Sequence, residues 1–440
     1  MSRAVYLETF GCQMNEYDSD IVRTILLQHD FEFTTHLDDA DVVLMNTCAI
    51  RESAHERIYG RLAGLKRLKR ERGLVVGLLG CMAQNLKDDL MEADSVIDVL
   101  VGPDGYRKLP GLLTKALEEH RSGIEVTLSE YETYADIIPE RTDGVTAWVS
   151  IMRGCDNFCT FCVVPYTRGR ERSQDPDSII FEVQQLVNNG IKQVTLLGQN
   201  VNSYAVNGTD FADLIVRVAD VSGIERVRFT SPHPKDFPDK LLDAIVDHPR
   251  ICTHVHLPLQ SGNDRMLSLM NRTYTQREFI DLASRMRDRC PHLTLTTDVI
   301  VGFCSETEED FVDTYRVMEE VEFNAAFTFI YSERKNTIAA RRYPDDVPHA
   351  VKVDRVSRLV ELQNRTSLKL NRAVIGQERE VLVEGDARKS SDQWMGRTDG
   401  NTMAVFPKAG EGICPGKKAT VVISDATSHT LIGENATPFR

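Results

Sequence analysis

Strand-like and helix-like stretches alternate along most of this 440-residue chain, in two separate series. Such alternation restricts the fold to parallel sheets with helices packed on their faces, an α/β class. The first series opens with Ala4-Val5-Tyr6-Leu7 and a helix expected over 20–28. Val42-Val43-Leu44-Met45 and residues 74–79 read as the next strands, with helices at 52–72 and near 84–91. Residues 96–101 and 109–119 supply a fourth pair. The second series has strands expected near 146–152, 192–197, 226–230, 253–258, 293–301 and 324–331. Helices fall between them, for example at 178–187, 211–221, 237–246, 277–289 and 308–320. Six such units make a partial (β/α) barrel, open on one side, with reactive groups expected at the C-terminal ends of its strands.

The stretch between the two series, 118–143, carries eight acidic residues against Arg121 and Arg141 and reads as a connector. A helix over about 349–372 ends the second series. Beyond it, 380–383, 403–406 and 419–423 read as short strands between turn residues, a small all-β barrel. The expected organisation is an N-terminal parallel α/β sheet domain (1–120), a linker (121–144), a partial (β/α)6 barrel with its closing helix (145–372) and a C-terminal β-barrel (373–440).

Immediately after the first strand of the second series stands Arg153-Gly154-Cys155-Asp156-Asn157-Phe158-Cys159-Thr160-Phe161-Cys162. Three thiolates in C-x₃-C-x₂-C can hold three irons of a [4Fe–4S] cluster and leave the fourth open to a substrate. Structural zinc normally takes four ligands, commonly as two C-x₂-C pairs. No fourth Cys or His follows nearby; the nearest candidate is the distant His233.

Cys12, Cys48 and Cys81 lie 36 and 33 residues apart, one strand–helix unit each, and each follows a strand. In an open parallel sheet, ligands bind just beyond the carboxyl ends of the strands. Three thiols on three strand ends can converge and hold a second cluster, and Gly11 and Gly80 leave room for close backbone approach. Cys252, Cys290, Cys304 and Cys414 show no such arrangement and read as ordinary small apolar residues.

Ten cysteines in a chain of this length, with no signal pattern at Met-Ser-Arg-Ala-Val-Tyr, suggest reduced thiols in a cytoplasmic protein rather than a disulfide framework. The longest apolar run, near 74–83, is too short to span a bilayer, so no membrane role is expected. The net charge of −14 does not announce a nucleic-acid binder, but local patches decide phosphate contact. Residues 51–72 hold eight Arg or Lys against three Glu, and 352–372 hold six against two acids. Arg168, Arg170 and Arg172 follow the cysteine loop. These are the candidate RNA contacts. The C-terminal barrel has eight basic and nine acidic residues from Gln377 on, so its charge suggests no RNA role. Phe406 is expected in its core; Trp394 is open between core and base stacking.

Longer motifs carry a resemblance. They are Glu8-Thr9-Phe10-Gly11-Cys12-Gln13-Met14-Asn15, Gly80-Cys81-Met82-Ala83-Gln84, the stretch from Cys162 through Pro165-Tyr166-Thr167-Arg168-Gly169-Arg170-Glu171, Gly198-Gln199-Asn200-Val201-Asn202-Ser203-Tyr204, and His256-Leu257-Pro258-Leu259-Gln260-Ser261-Gly262. Over essentially the whole chain these resemble the radical S-adenosylmethionine (SAM) methylthiotransferases of the MiaB type, which act on tRNA, with a TRAM-like domain at the C-terminus. Two loops depart from that pattern: Cys304-Ser305 stands where the family has Pro-Gly, and Glu333-Arg334-Lys335-Asn336-Thr337 where it has Pro-Arg-Pro-Gly-Thr.

The resemblance implies two [4Fe–4S] clusters and SAM as both radical source and methyl donor. SAM would chelate the open iron of the Cys155/Cys159/Cys162 cluster and yield a 5′-deoxyadenosyl radical. The cluster on Cys12, Cys48 and Cys81 would supply or carry the sulfur. The product is a methylthio group at C2 of an N6-isopentenyladenosine next to the anticodon, position 37. A low-potential electron donor such as flavodoxin or ferredoxin and suppliers of sulfur and clusters are implied partners, besides the tRNA anticodon stem-loop. Strand-end polar residues of the barrel, Gln199, Asn200, Asn202, Ser231, His233 and Gln260, with Asp298 inside the fifth strand, are candidates for SAM or nucleoside contact. The alternatives are a methylthiotransferase acting on another tRNA adenosine or on a ribosomal protein, and a non-enzymatic iron–sulfur sensor that binds RNA.

Overall fold

The computed structural model describes residues 3–49, 52–93, 96–139, 144–408 and 412–439. Arg51 and residues 140–143 of the expected connector lie outside them. The N-terminal domain runs β1 (Arg3–Phe10), α1 (Gln13–Leu27), β2 (Phe31–Phe33), β3 (Val42–Thr47), α2 (Glu52–Arg72), β4 (Val75–Gly80), α3 (Cys81–Asn85), α4 (Lys87–Ala93), β5 (Val99–Val101), α5 (Leu109–Glu119) and β6 (Gly123–Glu125). All six strands pair in parallel, in the order β2-β1-β3-β4-β5-β6. Every residue of β3 and β4 is buried, which is why both read as unbroken apolar runs.

Two edge strands are absent from the sequence reading. Phe31–Phe33 is only three residues long, and Gly123–Glu125 falls in the expected linker. The sheet therefore extends past the expected boundary at 120. The rest of the connector is also packed. Tyr134 is buried and stacks on Tyr106, while Arg107 ties down Glu132 and Asp136. Helix α1 starts at Gln13, directly after Cys12, rather than at Asp20. Cys12 takes the N-cap place with Asn15 at the third position, a capping box the sequence reading did not use.

The six barrel strands are Thr146–Ser150, Gln193–Leu197, Arg226–Phe229, His254–His256, Thr294–Val301 and Ala325–Ile330, in the expected places. They are parallel in two groups of three, joined by a bridge between Val227 and Ile251. Capping boxes at Thr275/Glu278 and Thr307/Asp310 start two of the intervening helices. Helix His349–Arg372 covers the last strand: Leu359 and Leu362 share a core with Ala326 and Ile330.

The C-terminal domain is a closed barrel of five strands, Glu378–Ala387, Ser390–Thr398, Met403–Pro407, Lys418–Ala426 and Thr430–Pro438. Three were expected; Ser390–Thr398 and Thr430–Pro438 are too polar to read as strands from sequence. Phe406 fills its core, and Trp394 packs beside that core with Lys408 Nζ 4.2 Å over its ring. The domain docks beneath the central barrel. Arg226 donates to Arg397 O at 2.6 Å and to Glu380 Oε1 at 2.8 Å, and Arg228 to Thr398 O at 2.7 Å. Thr253 N also donates to Asp399 Oδ2 at 2.9 Å and Lys418 pairs with Glu225, both contacts just ahead of barrel strands, so this joint is at the pole opposite the cysteine loop. Among the described residues, no helix is long and apolar enough to cross a membrane.

Candidate active site

The cysteine loop begins where the first barrel strand ends. Gly154 sits at φ 81°, and a Cβ there would lie 2.0 Å from Arg170 O. Only glycine permits that approach, and it lets Cys155 N donate to Gly169 O at 3.2 Å. Phe158 also takes a left-handed φ of 47°. Remote segments pin the loop: Thr160 donates to Met270 O (3.0 Å) and Leu269 O (2.8 Å), and Asn271 Nδ2 to Asn157 O and Phe158 O, both at 3.1 Å. Arg272 Nη1 lies 3.4 Å from Cys159 Sγ. Burial and the neighbouring thiols push Cys155 up to about 11 and Cys162 up to about 12. Burial thus favours the neutral thiols, and a metal cluster bound there would supply the charge that stabilises thiolates.

The second set is assembled by strand register. Phe10 pairs with Thr47 and Thr47 with Gly80, so three adjacent strand ends deliver Cys12, Cys48 and Cys81. Cys12 and Cys48 are hydrogen-bonded to each other. That bond, with help from Arg168 and against burial, lowers Cys12 to about 6. Burial raises Cys81, while Arg168 opposes the rise. Beneath the thiols lies a buried amide network: Asn15 Nδ2 donates to Asn46 Oδ1 at 3.1 Å, and Asn46 Nδ2 to Ser19 Oγ at 3.0 Å. The glycines are required, as expected. A Cβ on Gly11 would meet Asn15 Oδ1 at 2.3 Å, and one on Gly80 (φ 90°) would meet Asn46 Oδ1 at 2.4 Å.

The two sets lie at one domain junction. Cys81 packs in one buried group with Ala49 and Val163, the residue after Cys162. Two carboxylates hold the domains in this position. Arg153 and Arg168 both donate to Asp18, at 2.9 and 2.7 Å, and Arg172 donates to Asp104 at 3.1 Å. Burial opposes the charged form of Asp18, but Arg153 and Arg168 outweigh it and hold its carboxyl below the usual range. This corrects the reading of Arg168 and Arg172 as RNA contacts: both are buried and paired, and only Arg170 of the three is exposed. The closing helix is likewise largely neutralised. Lys352 pairs with Asp345, Arg355 with Glu306, Arg358 with Glu308 and Lys369 with Glu322. On α2, Lys69 is held by Asp98 and Arg61 by Glu8, while Lys66, Arg67 and Arg70 are exposed.

The polar residues singled out along the barrel form a rim and a wall. Gln199 Oε1 and Asn200 Oδ1 are buried acceptors with no donor among the described residues. Ser231 (φ 59°) and Gln260 (φ 64°) hold left-handed backbone at the ends of the third and fourth strands, strain of the kind that clusters at ligand sites. Asn202 is spent on the backbone: its Nδ2 donates to His233 O at 2.9 Å and its Oδ1 accepts from His233 N at 2.7 Å. Asp298 lies 3.2 Å from His256 Nε2. Glu171, quoted in a motif but given no role, accepts from Asp156 N at 3.3 Å and is raised by burial despite bonds from Ser203 and Asn200. Arg272 had no local signal either, being 113 residues from its cysteine. Cys252, Cys290 and Cys304 are buried as small apolar residues, but Cys414 is exposed.

Both departures from the family loop pattern fall at left-handed residues, Ser305 (φ 62°) and Asn336 (φ 74°). Side-chain partners hold each shape: Ser305 N donates to Asp346 Oδ1 at 2.7 Å, and Asn336 Nδ2 to Asn85 O at 3.1 Å.

Three family models match the chain in order: the Uncharacterized protein family UPF0004 over residues 4–102, the Radical SAM superfamily over 149–318 and the TRAM domain over 372–435. A tRNA-2-methylthio-N(6)-dimethylallyladenosine synthase of Chloroherpeton thalassium is 47% identical over 98% of this chain and 95% of its own. Those of Prosthecochloris aestuarii and Porphyromonas gingivalis are 44% and 46% identical, over 100% and 98% of this chain and 99% and 95% of theirs. Among solved structures, the radical S-adenosylmethionine methyltransferase TsrM from Kitasatospora setae aligns with a TM-score of 0.56 at 16% identity, covering 75% of this chain and 72% of its own. The cobalamin-dependent radical enzyme OxsB gives 0.53 at 12% identity, over 83% and 61%. These two show the shared fold. With its three domains in this order and relatives matched end to end, the chain belongs to the radical SAM methylthiotransferases of the tRNA-2-methylthio-N(6)-dimethylallyladenosine synthase family.

Proposed function

We propose that this chain places a methylthio group at C2 of N6-dimethylallyladenosine in tRNA, at position 37 beside the anticodon, with different work assigned to its two cysteine sets. The observation that carries the division is the shared packing of Cys81 and Val163, which brings the two thiol sets to one domain junction. Cys155, Cys159 and Cys162 hold the cluster that receives SAM, and Cys12, Cys48 and Cys81 the cluster from which sulfur leaves. When bound, these groups would supply a SAM-derived radical on one side and a transferable methylated sulfur on the other.

The chain's own residues set the stage for this chemistry. Arg272 Nη1 lies 3.4 Å from Cys159 Sγ and would offset the charge of a cluster-bound sulfur there. The unpaired acceptors of Gln199 and Asn200 suit the donor groups of SAM, and Ser231 and Gln260 complete that rim. Asn202 acts through the His233 backbone, as a positioning residue. Glu171 links the cysteine loop to Asn200 and fixes the rim to the loop. Asp298 and His256 line the barrel wall beside the reacting nucleoside. The Asp18 and Asp104 ion pairs hold the two thiol sets at a fixed separation.

The exposed Lys66, Arg67 and Arg70 bind tRNA phosphates. The enzyme works in the cytoplasm with a flavodoxin- or ferredoxin-like reductant and with suppliers of sulfur and clusters. Nucleoside mass analysis of total tRNA from a deletion strain tests the substrate. Loss of the methylthio-dimethylallyl nucleoside is expected, and its persistence contradicts the assignment. A protein methylthiolation product would move the enzyme to the ribosomal-protein alternative.

A further inference from the structure

The last barrel strand has one face that is largely exposed among the described residues. Its burial alternates strictly over Ala325–Ile330, with Phe327 58% and Phe329 42% exposed. Ala326 and Ile330 point the other way, into the core shared with the closing helix. The exposed face is therefore the inside of the partial barrel. Strand register sets its neighbours: Asp298 lies beside Phe327 and Ile300 beside Phe329. The His256 ring meets Phe327 edge-on at 6.0 Å, and its Nε2 lies 3.2 Å from Asp298.

This inner face runs toward the cysteine loop. Ile300 and Phe161, which precedes Cys162, pack against one buried group around Met266, Phe303 and Tyr331. An apolar ladder of two aromatic rings thus leads to the loop, with a carboxylate–imidazole pair along one edge. Two phenylalanines exposed side by side on one strand face, beside Ile300, form an apolar surface that suits an apolar occupant. The nucleoside assigned above has matching parts: a branched five-carbon chain without charge, and a purine with polar edges.

We propose that Phe327 and Phe329 seat the dimethylallyl group of the substrate adenosine, and that this contact selects prenylated over unprenylated tRNA. The inference rests on the substrate reading given under the proposed function. It concerns recognition and needs no residue of the SAM rim. The polar edge of the base then falls toward His256 and Asp298.

The test compares binding of two synthetic anticodon stem-loops, one with N6-dimethylallyladenosine and one with plain adenosine, to the full-length, cluster-loaded protein without reductant. Wild type is expected to prefer the prenylated form. The double variant Phe327→Ala/Phe329→Ala should reduce that preference by about ten-fold or more, since each buried carbon of a ligand chain contributes about that much discrimination. SAM affinity should stay as in wild type. The double variant Phe327→Leu/Phe329→Leu, which keeps apolar bulk, should retain most of the preference. Both side chains are exposed, so loss of folding is not expected, and melting curves of the two variants report on it.

An unchanged preference in the alanine variant overturns the inference while leaving the substrate reading intact. So does loss of SAM affinity with the preference kept, which would give the face to the SAM adenosine, or a change of oligomeric state with the preference kept, which would give it to a second copy. If wild type shows no preference and, in a parallel reaction with SAM and dithionite, forms no methylthio product, the substrate reading falls first.

Discussion

The two thiol sets hold the same number of cysteines but are built in opposite ways. Cys155, Cys159 and Cys162 occupy one turn of chain, and their spacing is encoded locally. Cys12, Cys48 and Cys81 belong to three strands and meet only because β1, β3 and β4 pair in one register. A one-residue slip in any of those strands would turn that strand's own side chains to the other face. The first set is thus a feature of sequence, and the second a feature of the fold. Damage to the sheet should strike the second set while sparing the first.

Cys159→Ala gives the largest expected effect. It removes one of three ligands from the loop, and reductive SAM cleavage should fall to background in an anaerobic assay for 5′-deoxyadenosine. Next comes the joint between the sets. Asp18→Ala leaves the buried Arg153 and Arg168 guanidiniums without their main partner. Breaking a buried pair on one side costs about 3–5 kcal/mol, so urea unfolding should shift by that amount and coupled turnover should collapse. An Arg226→Met change at the opposite pole breaks an ion pair whose arginine is buried and whose Glu380 is partly exposed. It should lower stability and leave dithionite-driven SAM cleavage in place, because that joint touches neither thiol set.

A smaller effect is expected from Gly80→Ala. The substitution forces a Cβ to 2.4 Å from Asn46 Oδ1 at φ 90°. Strain of this kind costs about 1–3 kcal/mol and falls on the second set alone. Iron and sulfide counts should drop toward half while SAM cleavage persists; loss of both clusters would show that the sets are not separable. Smallest is charge reversal of Lys66, Arg67 and Arg70. It should weaken tRNA binding and flatten its salt dependence by about 0.7–0.9 in slope per lost phosphate contact. An unchanged slope would move the RNA surface off α2.

The same local-versus-distant contrast explains what could be read from the chain. Barrel strands such as Gln193–Leu197 were legible because burial on both faces gives an apolar run, and the half-exposed Ala325–Ile330 because its residues are small, β-branched or aromatic. The edge strands Phe31–Phe33 and Gly123–Glu125 were not, because short, half-exposed strands carry little pattern. The place of the cysteine loop after the first barrel strand was legible outright, and the strand-end places of Cys12, Cys48 and Cys81 through their repeat. Arginine roles were the main failure. Arg168 and Arg172 look like a basic surface run, yet their carboxylate partners, Asp18 and Asp104, lie 150 and 68 residues away. Charge runs report on neighbours in sequence, whereas burial of charge depends on partners in space. Arg272 and Glu171 escaped for the same reason.

The central claim is that one thiol set serves SAM cleavage and the other set serves sulfur transfer. Cys48→Ala separates these most directly, because Cys48 belongs to the second set and is hydrogen-bonded to Cys12. With prenylated tRNA, SAM and dithionite under anaerobic conditions, 5′-deoxyadenosine and the methylthio nucleoside are measured in the same reaction. The account predicts that 5′-deoxyadenosine continues to form while the methylthio product disappears. Methylthio product at the wild-type level from Cys48→Ala would contradict it.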